Sequence, residues 1–250
     1  MATNLPPELK VHIETNIRAN VSPEDTRQLI EIALVYFPDY ENTSKLVRQH
    51  IQRADSLRIA RDTNNDIAGF SIASAYKQLT PFYPRPIKLL YQRMLYLSPD
   101  MLYKGLGKRL LTATFRDLLG PLWPLRRFAV VCRTLNPVVA RMMDMHTISY
   151  PHHGEEPPDE IRRFAETLLP VLGARQLDSQ YRLLGTLDEF KGADYTEIWH
   201  RHLHKQVNSY EKLMLNTVFT EKDGKIINNG ALMFMVAYSR PMQFIRYLFL

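Results

Sequence analysis

The segment YLSPDMLYKGLGKRLL, residues 96–111, constrains the fold of this chain more than any other stretch. It places Gly105 and Gly107 between a strand-like run, PIKLLYQRMLYL (86–97), and a helix-like run, KRLLTATFRDLL (108–119). A turn rich in glycine at the start of a helix exposes main-chain N–H groups that no carbonyl of the helix accepts. Because the helix dipole adds positive potential at that end, the turn suits a phosphate group.

Two well-known phosphate-binding motifs are absent from this segment. The P-loop pattern GxxxxGK[ST] does not occur, and the third glycine of the dinucleotide-binding fingerprint is missing. The strands before the turn are predicted as antiparallel hairpins, whereas the dinucleotide-binding fold uses parallel strands. A turn of the form G-x-G also occurs as ordinary loop punctuation, so the spacing alone leaves both interpretations open.

Hydrophobic periodicity and cap residues predict a mixed order of elements around the turn. Ser22 and Pro23 begin a helix, since serine caps helices and proline is favoured at the first helical position. The predicted elements are a strand at 9–17, a helix from Pro23, a helix from Thr43 or Ser44 to Ala54, strands at 56–62, 67–77 and 86–97, a helix ending near Gly120, a buried strand at 127–136 and a helix from Pro137.

The residues of the turn and its neighbours follow a recognisable pattern: Leu95, Leu97, Pro99, Gly105, Gly107, Leu110 and Leu111. In this pattern and in the order of elements, residues 9–150 resemble the GNAT superfamily of N-acyltransferases. The acyl-CoA motif of that family is a strand, an [RQ]-x-x-G-x-[GA] turn and a helix, and an asparagine commonly precedes the next helix, as Asn136 does here. The resemblance implies an α/β fold with a mixed, mostly antiparallel central sheet flanked by helices, and a helical elaboration in the C-terminal part.

The resemblance also implies an activity and a site. The donor would be acetyl-CoA or another acyl-CoA, and the amine of a small molecule would attack its thioester directly. The pantetheine arm would pair with the main chain near Leu97, between parallel strands 86–97 and 127–136, and Asn136 would lie close to it. An N–H group near Leu97 would polarise the thioester carbonyl. The pyrophosphate would be received by the main chain of Leu102, Tyr103, Lys104, Gly105, Leu106, Gly107 and Lys108.

The chain departs from the family pattern at two positions. Leu102 stands where the family has Arg or Gln, although Lys104 or Lys108 could supply charge, and Met143 stands where it often has a tyrosine that serves as general acid. As replacement catalytic residues we consider His146, whose imidazole titrates near neutrality, and Tyr96 on the motif strand. The alternatives are a helix-end or surface role for the histidine and a packing role for the tyrosine.

Residues 151–250 predict a helix at 161–173, a strand at 181–187, a long helix at 195–218 and a strand at 230–239. If the two strands complete the sheet, residues 1–250 form a single domain whose core is residues 1–150. The three histidines of HRHLH (200–204) lack the glutamate of the HExxH zinc motif, so no metal site is predicted. Cys132 lies in an apolar run and is expected to be a buried hydrophobe.

Composition bounds the partners of the chain. The net charge of +6 and the pI near 9.3 suit an anionic partner, but Lys and Arg are scattered, so nucleic-acid binding is not predicted. No apolar run has the length of a membrane span, and the first residues lack the pattern of a signal peptide, so we expect a cytoplasmic protein without a membrane partner. A homodimer stays open. Ranked below the N-acyltransferase are a CoA-binding relative without transferase activity, regulatory or decarboxylating, and a nucleic-acid or protein-binding module.

Overall fold

A computed structural model of the 250-residue chain describes residues 11–14, 21–102, 104–146, 148–150, 157–186, 188–203 and 209–238. The fold is mixed α/β, and the strand pairs whose register the structure gives are antiparallel. The predicted fold class, a mostly antiparallel sheet flanked by helices, is confirmed. The chain divides into two compact units, Met1–Ala75 with Gln92–Trp123, and Tyr76–Tyr91 with Pro124–Leu250. Whether they form the single domain expected over residues 1–250 stays a prediction.

The first unit contains four strands in the order β1-β2-β3-β4 and three helices. These elements are β1 (His12–Ile13), α1 (Pro23–Leu34), α2 (Tyr40–Gln52), β2 (Ser56–Arg61), the first part of β3 (Ile67–Thr80), the last part of β4 (Tyr83–Leu97) and α3 (Leu106–Leu119). The predicted hairpin is present, since β2 and β3 pair antiparallel with Leu57 opposite Ile72. Of the strand expected at 9–17, the described residues form the short β1.

Side-chain caps fix where the first two helices begin. Ser22 Oγ accepts a hydrogen bond from the N–H of Asp25 at 2.9 Å, which confirms the predicted start of α1. α2 begins at Tyr40, earlier than the predicted Thr43 or Ser44, because the Asp39 carboxylate accepts a hydrogen bond from the N–H of Asn42 at 2.9 Å. Asp39 was overlooked as a cap in the sequence, although aspartate is among the best N-cap residues.

Helices cover both faces of the first unit's strands. On one face, α1 and α2 bury Leu29 and Val47 against Ile59, Phe70 and Met94. On the other face, α3 buries its Leu106 and Leu110 against Ala60 and Ala68, and Leu95 and Leu97 pack at the edge of this cluster. Alternate strand residues thus serve two separate apolar layers, as a strand buried on both faces requires.

The second unit is built around one long strand, β11. Its elements are the remaining parts of β3 and β4, β5 (Phe128–Thr134), α4 (Pro137–His146), β6 (Ile148–Tyr150), α5 (Asp159–Thr167), α6 (Leu169–Leu172), β7 (Gln176–Leu177), β8 (Arg182–Leu184), α7 (Thr196–Ile198), α8 (Ser209–Thr217), β9 (Phe219–Lys222), β10 (Lys225–Asn228) and β11 (Ala231–Tyr238). β11 pairs antiparallel with β5 and with β8, so the strands expected at 181–187 and 230–239 are indeed neighbours.

Several predicted elements in this unit need correction. The single helix expected at 161–173 is two helices, because the chain turns at Leu168 before Pro170. The long helix expected at 195–218 is α7, a π-helical turn at Trp199–Leu203 and α8, with residues 204–208 outside the described part. The hairpin β9–β10 was missed, although Asp223 and Gly224 form the Asp-Gly turn, with φ of 53° and 74°, that favours such hairpins.

Candidate functional site

The turn between β4 and α3 has the backbone geometry that its two glycines predict. Gly105 is the N-cap of α3 and has φ 79°, in the left-handed region where glycine carries no penalty. The residue is exposed, and a Cβ placed on it would meet nothing within 4 Å. The first helical hydrogen bond joins the N–H of Arg109 to Gly105 O at 3.2 Å, so the N–H groups before Arg109 have no acceptor four residues back within the helix.

The charges around the start of α3 favour an anion. The first turn of this helix contains no acidic residue, whereas α1, α2 and α5 all begin with one. Lys104 is exposed, Lys108 is half-buried and Arg109 donates a hydrogen bond to Val11 O at 3.1 Å. Cations at a helix N-terminus repel the positive end of the helix dipole, and a bound anion would relieve that repulsion.

Side chains from the strands hold α3 in place. Leu106 is completely buried and Gly107 lies in ordinary contact with the side chain of Leu97, at 3.8 Å from a Cβ placed on the glycine. At the other end of the helix, the carboxylate of Asp117 forms an ion pair with Arg58 and accepts a hydrogen bond from Ser56 Oγ at 2.9 Å. The helix is therefore fixed at both ends, with its N-terminus beside the end of β4.

The last peptide group of β4 is held from two directions. The N–H of Ser98 donates to Ala68 O on β3 at 2.9 Å, and Tyr36 Oη donates to Leu97 O at 3.2 Å. On β3, Gly69 faces this segment so closely that an added Cβ would lie 2.6 Å from Leu97 Cδ2 and 3.0 Å from Tyr96 O. Neither residue was singled out from the sequence, although an isolated glycine in a strand is a signal of close backbone approach.

The side chain of Tyr96 lies in an aromatic cluster. Its ring stacks on Tyr36 with centroids 5.1 Å apart, and it meets Phe37 and Phe70 edge to face at 6.1 and 5.7 Å. These contacts give Tyr96 a packing role. A catalytic role for Tyr96 stays a prediction.

Two polar residues of β4 face inward. Gln92 and Arg93 are both buried, against the expectation of outward-facing residues or acceptor contacts. Gln92 Nε2 donates to Ile72 O at 3.2 Å and Met94 O at 2.6 Å, while Arg93 Nε donates to Ser74 Oγ at 2.7 Å. Both side chains thus bind neighbouring parts of the first unit and stabilise it.

The remaining predicted site residues belong to the second unit or lie outside the described part. Asn136 caps α4, since its Oδ1 accepts from the N–H of Val138 at 2.9 Å and its carbonyl accepts from the N–H of Ala140 at 3.2 Å. His146 ends α4, but its side chain is outside the described part of the chain, as is Tyr103. The proximity of Asn136 and His146 to the turn stays a prediction.

Cys132 is buried and free, as the sequence predicts, and burial raises the pKa of its thiol to about 12. Within the described residues, no group of three or more His, Cys, Asp or Glu side chains is arranged to hold a metal ion. In the same part of the chain, none of the helices has the length and apolar character needed to cross a membrane. The cytoplasmic location stays a prediction.

Three solved structures similar to this chain were compared with it. A protein named as a GNAT-family acetyltransferase from Desulfovibrio desulfuricans has 14% identity and a TM-score of 0.40, and the match covers 54% of this chain and 82% of that one. The GNAT N-acetyltransferase YhbS from Escherichia coli, in complex with CoA, has 16% identity and a TM-score of 0.40 over 54% of this chain and 69% of that one. NAA60 from Arabidopsis thaliana, in complex with acetyl-CoA, has 17% identity and a TM-score of 0.38 over 54% and 84%.

These similarities agree with the GNAT resemblance of the sequence. At identities of 14–17% and TM-scores of 0.38–0.40 they concern the general fold, and no residue of this chain takes its role from them. No protein-family model matches the sequence, and the search of curated proteins gave no match.

Proposed function

We propose that this protein is an acyl-CoA-dependent N-acyltransferase of the GNAT type, which transfers an acyl group, acetyl by default, to the amine of a small molecule. The observation that carries the proposal is the start of α3: a left-handed, exposed Gly105, N–H groups without helical acceptors, no acidic residue and flanking cations. This combination suits a pyrophosphate at a helix N-terminus. Leu102 replaces the Arg or Gln of the family, so the main chain, Lys104 and Lys108 would make the phosphate contacts.

In this proposal the residues of the chain bind and orient more than they react. An acyl-CoA, when bound, supplies the activated thioester. The end of β4 would align the pantetheine arm along the main chain of Leu97, and an N–H group there would stabilise negative charge on the thioester carbonyl. The attacking amine would give its proton to water or a base, and the departing thiolate would take a proton. Tyr96 and His146 are the proposed donors, since Met143 has no proton to give.

A second candidate function is a CoA-binding protein without transferase activity. It is favoured by Met143 at the usual tyrosine position and by the absence of Asp and Glu from residues 86–97. The packing of Tyr96 in an aromatic cluster points the same way. Release of free thiol from acetyl-CoA during a screen of small amines separates the two, because only the transferase releases thiol in proportion to acceptor.

Calorimetric titration with CoA and acetyl-CoA tests the site itself, with Gly105→Glu as the disabling variant. A carboxylate about 6 Å from a phosphate charge costs roughly 1–3 kcal/mol at protein-surface dielectric constants, which is about tenfold to hundredfold in Kd. Gly224→Glu is the matched control: Gly224 also has positive φ, at 74°, and open space around its Cβ, but it lies in the β9–β10 turn. Both variants should therefore carry the same backbone strain and the same added charge.

We expect the wild type and Gly224→Glu to bind CoA equally and Gly105→Glu to lose binding while remaining folded by circular dichroism. If wild-type protein binds neither CoA nor acetyl-CoA, the proposed function is wrong. Equal loss of binding in both glutamate variants would show that strain or net charge, and not the turn, controls affinity.

A further inference from the structure

We propose that Tyr36 is a positioning residue for the pantetheine arm of the donor, because its hydroxyl fixes the main chain of β4 at the point where that arm would pair. The inference rests on the proposed function. Tyr36 lies outside the acyl-CoA motif, 61 positions before Leu97 in sequence, and its hydroxyl donates to Leu97 O at 3.2 Å.

The peptide group between Leu97 and Ser98 shows which edge of β4 is involved. Its N–H donates to Ala68 O on β3 at 2.9 Å. In a trans peptide the carbonyl points the opposite way from the N–H, so Leu97 O points to the edge of β4 that faces away from β3. The hydroxyl of Tyr36 meets the carbonyl at that edge, and the peptide plane is therefore held at both of its polar groups.

Tyr36 is itself held firmly enough to act as a fixed support. The residue is 8% exposed and its ring stacks on Tyr96 at 5.1 Å. Its N–H and that of Phe37 both donate to Ala33 O at 3.0 Å, at the end of α1. Phe37 O in turn accepts from Thr43 Oγ1 at 2.7 Å, which ties the α1–α2 connection to α2.

Gly69 and Ser98 support the same arrangement. Gly69 lets Leu97 lie against β3, and Ser98 Oγ adds a second hydrogen bond to Ala68 O at 3.2 Å. Removing the Tyr36 hydroxyl would leave the β3 side of the peptide held and the opposite side loose. A ligand that pairs with the main chain at that edge would then have to order it, and this lowers affinity.

The two halves of CoA allow a sharp test. The pantetheine arm would lie along β4, whereas the phosphates would lie at the start of α3. Adenosine 3′,5′-bisphosphate keeps the phosphorylated nucleotide and lacks the arm. We expect Tyr36→Phe to raise the Kd for CoA about fivefold, the equivalent of one ordinary hydrogen bond, and to change the Kd for the bisphosphate less than about twofold.

Phe37→Leu is the matched control. It alters the same aromatic cluster, in which Phe37 meets Tyr96 edge to face, but leaves the Tyr36 hydroxyl in place. Thermal unfolding should show Tyr36→Phe close to the wild type, since its ring remains. Phe37→Leu should lower Tm and affect both ligands alike.

Each outcome separates the two proposals. Selective loss of CoA affinity in Tyr36→Phe supports the positioning role. Wild-type binding of both ligands with unchanged or equal affinities in Tyr36→Phe overturns the positioning role and leaves the proposed function standing, as does the same selective loss in Phe37→Leu. Failure of the wild type to bind CoA overturns both.

Discussion

Replacing Gly69 by alanine tests how tightly β3 and the end of β4 approach each other. The added Cβ would lie 2.6 Å from Leu97 Cδ2, 3.0 Å from Tyr96 O and 3.3 Å from Leu97 Cα. Carbon atoms prefer separations of about 3.5–4.0 Å, so these atoms must move. The Leu97 side chain can leave its rotamer at roughly 1 kcal/mol, but the two main-chain atoms move only if β4 shifts.

The size of the effect follows from these contacts. Overfilling a packed site costs about 1–3 kcal/mol, and we expect the free energy of unfolding to fall by about 2 kcal/mol in Gly69→Ala. For a chain of this length that corresponds to a fall in Tm of about 4–8 °C. A shift of Leu97 should also weaken CoA binding, because Leu97 lies at the proposed pantetheine edge.

Gly107→Ala is the control, because it adds the same methyl group near the same leucine. Its Cβ would lie 3.8 Å from Leu97 Cδ1 and 3.9 Å from Leu95 Cδ2, which are ordinary contacts. Since Gly107 is helical and alanine is the better helix former, this variant should be more stable than the wild type by about 0.5 kcal/mol. Urea unfolding monitored by the fluorescence of the buried Trp123 and Trp199 measures both variants. Wild-type stability in Gly69→Ala, or changes of the same sign in the two variants, would refute the reasoning.

Two further predictions concern the second unit. Asn136→Ala should lower the free energy of unfolding by about 1 kcal/mol through loss of the α4 cap, whereas Asn136→Asp should keep most of it; equal urea midpoints for wild type and alanine variant would contradict the cap. Because burial raises the pKa of Cys132 to about 12, iodoacetamide should not label the native protein at pH 8 but should label it in urea. Since the folded pKa lies above the ordinary value of 9.0, stability from this group is complete below pH 9 and is lost as the pH rises toward 12, a loss that Cys132→Ala should lack.

Much of the site was predictable from neighbouring residues alone. Gly105 announces a left-handed cap, and Ser22 with Pro23 announces the start of α1, because both depend on the chain's own dihedral angles and nearest N–H groups. The missed Asp39 cap and the missed Asp223-Gly224 hairpin turn were legible in the same way. The break at Leu168 likewise follows from Pro170.

The sequence by itself therefore determined the order of the elements and the phosphate-type turn, since those follow from short-range conformational preferences. Only the tertiary structure decided which residues support the turn. The hydrogen bond from Tyr36 to Leu97, the approach of Gly69 to Tyr96 and the burial of Gln92 join positions distant in sequence. Such contacts depend on how helices and strands pack together, and packing is set by the whole of an apolar layer rather than by any local pattern.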